Sequence, residues 1–258
     1  AYFDQAKLSL VLLQDYKINF IGNQNTAERW QKINEHLIKF LDHHSMHQSS
    51  FSKVHISLDH KEYSIHANSL FLDQKLKEQI LFNQNISYPY HAQAQVISGT
   101  ERTILFTIPK VIEDTLVDYF GENKMMHSAG ILENEILKKH KNKKLGNQVY
   151  IYISNRDMHL LVMNNESLLF HNAFSYTSKE DFIYFILLVY DQLNLNPEED
   201  PINFIGDLSR SSALFGITWQ YIRHIAFINQ TNGIQLNSSF DHMPVHQYFL
   251  LIQSTLCE

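Results

Sequence analysis

Closely spaced histidines are the residues of this chain with the most direct chemistry, because histidine clusters can hold Zn²⁺ or Ni²⁺. The densest set is Asp42-His43-His44-Ser45-Met46-His47, directly after a helical pattern. No second cluster at ligand spacing accompanies it, which favours a solvated loop. His242 and His246 have the spacing of one helix face, but Pro244 between them places a helix start there instead. The spacing therefore predicts no metal site.

Adjacent carboxylates are the second candidate, since a pair of them can serve as general acid and base. Glu180 and Asp181 are adjacent, but Glu180 closes a capping-box sequence, Thr177-Ser178-Lys179-Glu180, and negative charge stabilises a helix N-terminus. The single cysteine, Cys257, has no partner for an intramolecular disulfide. The chain also lacks Gly-x-Ser-x-Gly, Walker A and Cys-x-x-Cys motifs. We therefore predict no catalytic residue.

The elements that would position such residues follow a repeated plan of hairpin, helix and strand. The first copy comprises strands 8–13 and 17–21 around the turn Gln14-Asp15-Tyr16, a helix from Thr26 to Leu41 capped by Asn25, and strands 54–58 and 63–66. The second comprises strands 149–153, 159–163 and 168–174, a helix after the capping box, and strand 202–205. The repetition indicates a duplicated α/β architecture with lobes 1–147 and 148–258.

Helix and strand patterns also fill the rest of the chain. Between the two copies, strand 102–108, a helix begun by Pro109 and ended by Gly121, and strand 125–129 have the order of a βαβ unit, and a helix follows at 131–140. The helical segment Phe182–Val189 has no polar stripe, so we expect it to be covered on both sides. The end of the chain, 245–256, has the spacing of a terminal helix.

Over essentially its whole length the chain resembles a bacterial family of uncharacterised proteins with an actin-like ATPase fold. The most specific piece is NAFSYTSKEDFIYFILLVYDQL (Asn172–Leu193), and the ending Cys257-Glu258 is similar too. The segment ILFTIPKVIEDTLVDYFGENKMMHSAGI resembles the middle of type IV pilus assembly proteins of the same fold, which are related to the cytoplasmic domain of the type II secretion L component. The resemblance implies a two-lobed, ribonuclease-H-like α/β fold with duplicated mixed sheets flanked by helices.

The resemblance also implies where nucleotide phosphates would be held. Enzymes of this fold use two facing Asp-x-Gly hairpins, in which glycine lets the backbone approach phosphate while aspartate organises Mg²⁺ and water. Here the first turn, Gln14-Asp15-Tyr16-Lys17, has no glycine, and the second has Ile153 at the Asp position and Asn155 at the Gly position. Asp157, in the same turn, could substitute for the missing carboxylate.

The adenosine site of this fold carries Gly-Gly after a strand, and the matching positions here are Gly206 and Asp207. An anion thus replaces the second glycine, where a polyanion would lie. The loop continues through Ser209 into a helix pattern, and N–H groups at such a junction can still bind a small ligand. Asn155, Asp157, Gly206, Asp207 and Ser209 are therefore the candidates for a vestigial site, for which we expect no cofactor and no metal.

Charge and hydropathy limit the classes of partner. The chain has 258 residues and a formal net charge of −6, which offers no field for nucleic acid, and the run Lys138–Lys144 fits a helix C-terminus and a solvated loop. The longest strongly apolar run, Phe182–Tyr190, is far shorter than the about 20 residues of a bilayer span, and no signal peptide is recognisable. We expect a cytoplasmic protein with protein partners, no nucleic acid and no membrane span.

Two functional hypotheses follow from these observations. The favoured one is a non-catalytic scaffold or protein-interaction module, which keeps the actin-like fold but not the residues that handle phosphate. The alternative is a nucleotide-dependent ATPase or small-molecule kinase whose rearranged site uses Asp157, Asp207 or Ser209. The fold alone does not choose between them, because function belongs to the site.

Overall fold

The computed structural model describes residues 2–4, 9–13, 18, 26–46, 51–70, 75, 86–121, 123–229, 234–236 and 238–256. The chain forms two compact units: a terminal unit, Ala1–Leu13 with Ile131–Glu258, and a middle unit, Gln14–Gly130. The division at Gly130 differs from the boundary at 147 that the sequence indicates. Compact units show where contacts concentrate, so the lobes 1–147 and 148–258 stay a prediction.

Strands and helices alternate along most of the described chain. Up to the end of the helix that contains Gly130, the elements are β1 (Tyr2–Asp4), β2 (Ser9–Leu12), α1 (Thr26–His43), β3 (His55–Leu58), β4 (Tyr63–Ala67), β5 (Tyr90–Val96), β6 (Arg102–Pro109), α2 (Lys110–Phe120), β7 (Lys124–His127) and α3 (Ser128–His140). They continue with β8 (Asn147–Ser154), β9 (Asp157–Asn164), β10 (Ser167–Ser175), α4 (Lys179–Gln192), β11 (Ile202–Gly206), α5 (Ala213–Trp219), β12 (Ile225–Phe227), β13 (Gln235–Leu236) and α6 (Phe249–Gln253). Among the described residues, no helix has the length and apolar character needed to span a bilayer.

Five strands of the terminal unit form one mixed sheet in the order β10-β9-β8-β11-β12. β8, β9 and β10 are antiparallel neighbours, whereas β11 runs parallel to β8 and β12 parallel to β11. The two hairpin turns hold Asn155 and Asn165 at φ 57° and 50°, a conformation that asparagine tolerates better than most residues. The structure confirms the strands that the sequence predicts at 149–153, 159–163, 168–174 and 202–205.

The central strands of this sheet are buried on both faces. One face contributes to an apolar core together with α4, and this core includes Ile151, Leu160, Phe182, Ile186 and Phe204. The opposite side chains are equally buried, since Tyr150, Leu161 and Met163 are each 0% exposed. A strand without a water-facing side needs no polar alternation, which explains the near-continuous apolar run of β9.

The first turn of α4 is capped one residue later than the sequence indicates. Ser178 is the N-cap: its hydroxyl accepts the N–H of Asp181 at 3.0 Å, and the Asp181 carboxylate accepts the N–H of Ser178 at 3.2 Å. The predicted box, with Thr177 first and Glu180 last, is therefore wrong, because Asp181 occupies the third helical position.

The prediction that α4 is covered on both sides is wrong, because only the side that faces the sheet is buried. Phe182, Ile186 and Val189 are buried in the core beside the sheet. Tyr184, however, is 59% exposed, and Phe185 is half-buried. Tyrosine tolerates this position because its hydroxyl can face water while its ring contacts apolar neighbours.

The middle unit contains an antiparallel sheet, β4-β6-β5, and a parallel pair, β3-β7. Pro109 precedes α2, and Gly121 ends it with φ 61° and an N–H bond to Val117 O at 2.7 Å, which confirms both predicted helix limits. The strands on either side of α2 nevertheless belong to different sheets. The predicted βαβ unit is therefore wrong, because β6 pairs with β4 and β5 while β7 pairs with β3.

The two ends of the chain differ from the local patterns. β2 lies within the predicted strand 8–13, but its partners in the described residues are β1 and β13. The predicted turn Gln14-Asp15-Tyr16, the cap Asn25 and, apart from Ile18, the strand 17–21 lie outside the described residues. The predicted helix 245–256 consists of α6 between two turns of 3₁₀ helix, because the backbone at Tyr248 (φ −105°, ψ 10°) interrupts it.

Candidate functional site

The candidate site residues meet at one edge of the five-stranded sheet. β8 and β11 run parallel and pair Ile153 with Gly206, so the turn after β8 and the loop after β11 begin side by side. Open α/β sheets bind ligands outside the carboxyl ends of their strands. This edge carries all five candidates: Asn155, Asp157, Gly206, Asp207 and Ser209. Their role in binding stays a prediction.

Gly206 is required by the close approach of two strands. Its φ is 90°, and a Cβ added to it would lie 2.1 Å from the carbonyl oxygen of Ile153. The N–H of Asp207 donates to the same oxygen at 2.8 Å. Only a residue without a side chain fits this geometry. The glycine is thus explained by strand packing and needs no phosphate.

The turn after β8 has the positive-φ backbone conformation of a glycine-containing turn. It lacks the aspartate that accompanies that glycine in the enzymes of this fold. Asn155 is exposed and adopts φ 57°, a region that glycine enters freely and asparagine tolerates. Ile153, which the resemblance places at the aspartate position, is 1% exposed and belongs to the apolar core. The side chain that the resemblance aligns with the metal-binding aspartate is therefore buried and aliphatic.

Tyr176 closes the turn, and the sequence reasoning missed it. Its hydroxyl donates to Asn155 O at 3.0 Å, and its N–H donates to Arg156 O at 3.0 Å. Burial raises the pKa of Tyr176, and the carboxylates of Asp157 and Asp207 raise it further. Both aspartates of the edge therefore act electrostatically on the Tyr176 hydroxyl. Its position directly after the third strand was the only signal that the sequence offered.

The remaining polar groups of the edge are exposed or bonded locally. The Ser175 hydroxyl donates to the Asp157 carboxylate at 2.6 Å. The hydroxyls of Ser209 and Ser211 lie 3.0 Å apart, and Asp207 is exposed. Asp157 and Asp207 place two carboxylates near the Tyr176 phenol, and the guanidinium of Arg156 in the same turn acts on it with the opposite sign. Each of these carboxylates can attract a cation, and each repels a phosphate group placed beside it.

Aromatic packing fixes the loop that follows β11. The Arg210 guanidinium lies over the rings of Phe215 and Phe227, 5.7 Å and 5.4 Å from their centroids. Ser212 caps α5 by accepting the N–H of Phe215 at 3.2 Å. Arg210 is therefore engaged in cation–π contacts, and the loop has a defined conformation.

The two sets of histidines belong to different compact units of the chain. The rings of His43 and His44 lie edge to face at the end of α1, 4.8 Å apart, whereas His47 is outside the described residues. Pro244 begins a turn of 3₁₀ helix after His242, and His246 donates from Nε2 to a loop carbonyl. In the described parts of the chain, no group of three or more His, Cys, Asp or Glu could hold a metal ion.

The lysine run at the end of α3 is partly engaged by its neighbours. Lys138 bonds the buried carboxylate of Glu135 at 2.7 Å. Lys139 lies 5.9 Å from the centroid of the Tyr150 ring, and burial lowers the pKa of Lys139, with a further contribution from Lys143. These contacts fit the predicted role of the run at a helix C-terminus.

A second polar cluster, also missed from the sequence, lies where β3 and β7 end in the middle unit. The buried Ser128 hydroxyl donates to Asp59 at 2.6 Å. His127 accepts the N–H of Ala129 at Nδ1, at 3.2 Å, and donates from Nε2 to His60 O at 3.0 Å. Both ring nitrogens are engaged with the backbone, so His127 does not serve as a base for Ser128. The cluster joins two strand ends.

A solved structure of known fold matches most of the chain. It is a Bacteroides thetaiotaomicron protein with an actin-like ATPase fold and unknown function, 20% identical, with a TM-score of 0.69. The match covers 86% of this chain and 80% of that protein. This likeness confirms the actin-like ATPase fold that the resemblance implies, and at this identity it shows the fold alone.

Two weaker structural matches are each 9% identical to the chain. The PilM–PilN type IV pilus biogenesis complex has a TM-score of 0.47 over 88% of this chain and 83% of that one. The AlfA filament bound to AMPPNP has a TM-score of 0.37 over 89% and 70%. No curated protein matches the sequence. The family model described as "Protein of unknown function (DUF3822)" matches residues 1–225, and the chain therefore belongs to the DUF3822 family.

Proposed function

We propose that the chain is a non-catalytic member of the actin-like fold and acts as a scaffold or protein-interaction module. The observation that supports this proposal is Ile153, which is 1% exposed at the position where the fold's enzymes carry an aspartate. An aliphatic side chain in the core neither binds Mg²⁺ nor orients water. Phosphoryl transfer depends on both, because its catalysis is mainly positioning and electrostatic stabilisation.

The two carboxylates of the sheet edge support the same function. The resemblance aligns Asp207 with a glycine that approaches phosphate in the enzymes of this fold, and Asp207 is exposed. Asp157 and Asp207 both act electrostatically on Tyr176, so two carboxylates face the same small region. Like charges at short range disfavour each other, and a polyphosphate would add more negative charge.

The same two carboxylates favour the second candidate, a nucleotide-dependent ATPase or small-molecule kinase with a rearranged site. Carboxylate oxygens are the ligands that Mg²⁺ prefers, and the ion would offset the repulsion between carboxylates and phosphates. In that site Asp157 would replace the carboxylate lost at Ile153, while Asp207 and Ser209 would complete the polar shell.

Calorimetry of the full chain with ATP and Mg²⁺ separates the two candidates. We expect no heat of binding and an unchanged melting temperature, whereas a ligand at 100 times its Kd adds about 2.7 kcal/mol of stability. The variant Asp157→Ala tests the rebuilt site, and Asp191→Ala, an exposed carboxylate at the end of α4, is its control. Binding that Asp157→Ala abolishes and Asp191→Ala preserves would overturn the non-catalytic function.

The interaction role needs a positive test as well. Proteins captured with the full chain from its native cell would be purified and recombined with it. We expect a complex of fixed stoichiometry that forms without nucleotide and with Asp157→Ala as well as with the wild type. A complex that forms only with ATP and Mg²⁺ would instead support the nucleotide-dependent candidate.

A further inference from the structure

The outer strand of the five-stranded sheet, β10, has one backbone edge that no other described strand pairs with. Among the described residues, β10 pairs with β9 alone. The N–H of Tyr176 donates to Arg156 O on the β9 side, and peptide groups alternate along an antiparallel strand. His171, Ala173 and Ser175 therefore direct their backbone groups outward. Such an edge is a template for another strand.

Side chains do not protect this edge with charge. Natural edges often carry lysine or another charged residue that prevents pairing. Between Ser167 and Ser175 the only titratable side chain is His171, which is buried and bonds the buried Glu133 carboxylate at 2.7 Å. Asn172 is exposed, and its side-chain oxygen accepts the outward N–H of Ala173 at 2.9 Å. An uncharged amide is thus the group that occupies the middle of the edge.

The side-chain pattern of β10 is symmetric about Asn172. The segment Phe170-His171-Asn172-Ala173-Phe174 has one phenylalanine two residues before its centre and another two residues after it. The rings of Phe170 and Phe174 are stacked on one face of the sheet, 6.3 Å apart, and are half-buried. Phe185 of α4 stacks on Phe174 at 4.8 Å, and the exposed Tyr184 follows at 5.5 Å from Phe185. An aromatic ridge therefore runs from the edge onto α4.

We propose that a second copy of this chain pairs antiparallel along β10, about a two-fold axis at Asn172. In this register His171 lies opposite Ala173 of the copy, and Ala173 lies opposite His171 of the copy. The two residues of each pair exchange backbone hydrogen bonds. Phe170 faces Phe174 of the copy at a non-hydrogen-bonded position, where opposite side chains are closest. In the single chain the N–H of Ala173 donates to the Asn172 side-chain oxygen. In the dimer it donates to a backbone carbonyl of the copy instead.

A second copy fits this edge better than an unrelated strand because both of its distinguishing features are self-complementary. Phe170 and Phe174 can both lie opposite a phenylalanine only when the partner strand runs antiparallel and also carries two phenylalanines four residues apart. The absence of charge along the edge means that two copies bring no like charges into opposition, despite the net charge of −6 on each. A bulge at Leu169 limits the pairing to the segment that follows it. The inference makes no assumption about nucleotide binding.

Disulfide trapping tests the register. In a Cys257→Ser background, Asn172→Cys places two thiols opposite each other on the axis, where Cα atoms about 4.5 Å apart allow a disulfide. Ser167→Cys, an exposed position on the same strand, is the control, because its two copies would lie about 30 Å apart. We expect Asn172→Cys to form a covalent dimer under mild oxidation at least ten times faster than Ser167→Cys. Equal rates would overturn the register.

Sedimentation equilibrium of the full chain tests the association itself. The wild type should form dimers with rising concentration. Ala173→Pro should be monomeric, since proline removes an outward N–H and is tolerated at a sheet edge. Asn172→Lys, at an exposed position, should also be monomeric because like charges would face each other on the axis. A monomeric wild type, or a dimer that persists in both variants with unchanged melting temperatures, would overturn the proposal.

Discussion

At the residue scale, a backbone contact explains why position 206 is a glycine. A Cβ there would lie 2.1 Å from Ile153 O, and φ is 90°. We expect Gly206→Ala to lower the free energy of unfolding by about 3 kcal/mol or more, because strain and a backbone clash add. Chemical denaturation of the purified variant measures this loss.

Gly216 in α5 is the matched control for this substitution. An added Cβ at Gly216 meets no atom within 4 Å, and the residue is exposed. Gly216→Ala should therefore raise stability by up to about 1 kcal/mol through helix propensity. Equal effects of the two substitutions would contradict the close-approach argument for Gly206.

A buried histidine, His140, couples stability to pH. Burial lowers the pKa of His140, and the folded ring donates from Nδ1 to Asn165 O while its Nε2 accepts the Tyr150 hydroxyl at 2.8 Å. The unfolded chain titrates at the ordinary pKa of 6.5, so below that pH it takes up a proton that the folded state excludes. The free energy of unfolding should therefore fall as pH drops through 6.5, by at most about 1.4 kcal/mol per pH unit.

The variant His140→Gln isolates this contribution. At neutral pH it should be less stable than the wild type, because it lacks the ring that accepts the Tyr150 hydroxyl. The difference should shrink as the solution is acidified, since the variant has no histidine to protonate there. Urea titrations at several pH values measure it, and a difference that stays constant with pH would argue against the coupling.

At the element scale, α4 has one side in the core and one side in water. Phe182 is 0% exposed, whereas Tyr184, two residues later, is 59% exposed. We expect Phe182→Ala to cost about 3–5 kcal/mol, as large-to-small changes in cores do, and Tyr184→Ala to cost less than about 1 kcal/mol. Thermal and urea unfolding compare the pair. Similar losses for both would mean that the exposed side of α4 is covered in solution.

At the scale of the whole molecule, the net charge bears on whether the protein binds nucleic acid. The net charge of −6 and a pI near 6.2 give no general attraction for polyanions, and Lys138 is engaged by Glu135. We expect no binding of duplex DNA at physiological salt in fluorescence anisotropy. Affinity that falls steeply with added salt and disappears in Lys141→Glu would contradict this expectation and identify the lysine run as a nucleic-acid surface.

The sequence by itself determined the features that depend on neighbouring residues. Pro109 and Gly121 limit α2 because one lacks an N–H and the other adopts positive φ, and both effects act locally. The helix that begins at Thr26 and the apolar runs of β8 and β9 are equally local patterns. The family resemblance added the actin-like fold, which no local pattern contains. The same resemblance identified Ile153 and Asp207 as positions where the enzymes of this fold carry aspartate and glycine.

Only the tertiary structure decided which distant segments meet. Strand pairing depends on hydrogen bonds between residues far apart in the chain, so β6 and β7 joined different sheets although their order predicted one. Tyr176 became part of the candidate site because β10 returns to the turn at Asn155. Gly206 acquired its role from Ile153 on another strand, and Tyr184 its exposure from the position of the sheet. Burial and pairing are properties of what surrounds a residue, which its own neighbours in sequence do not specify.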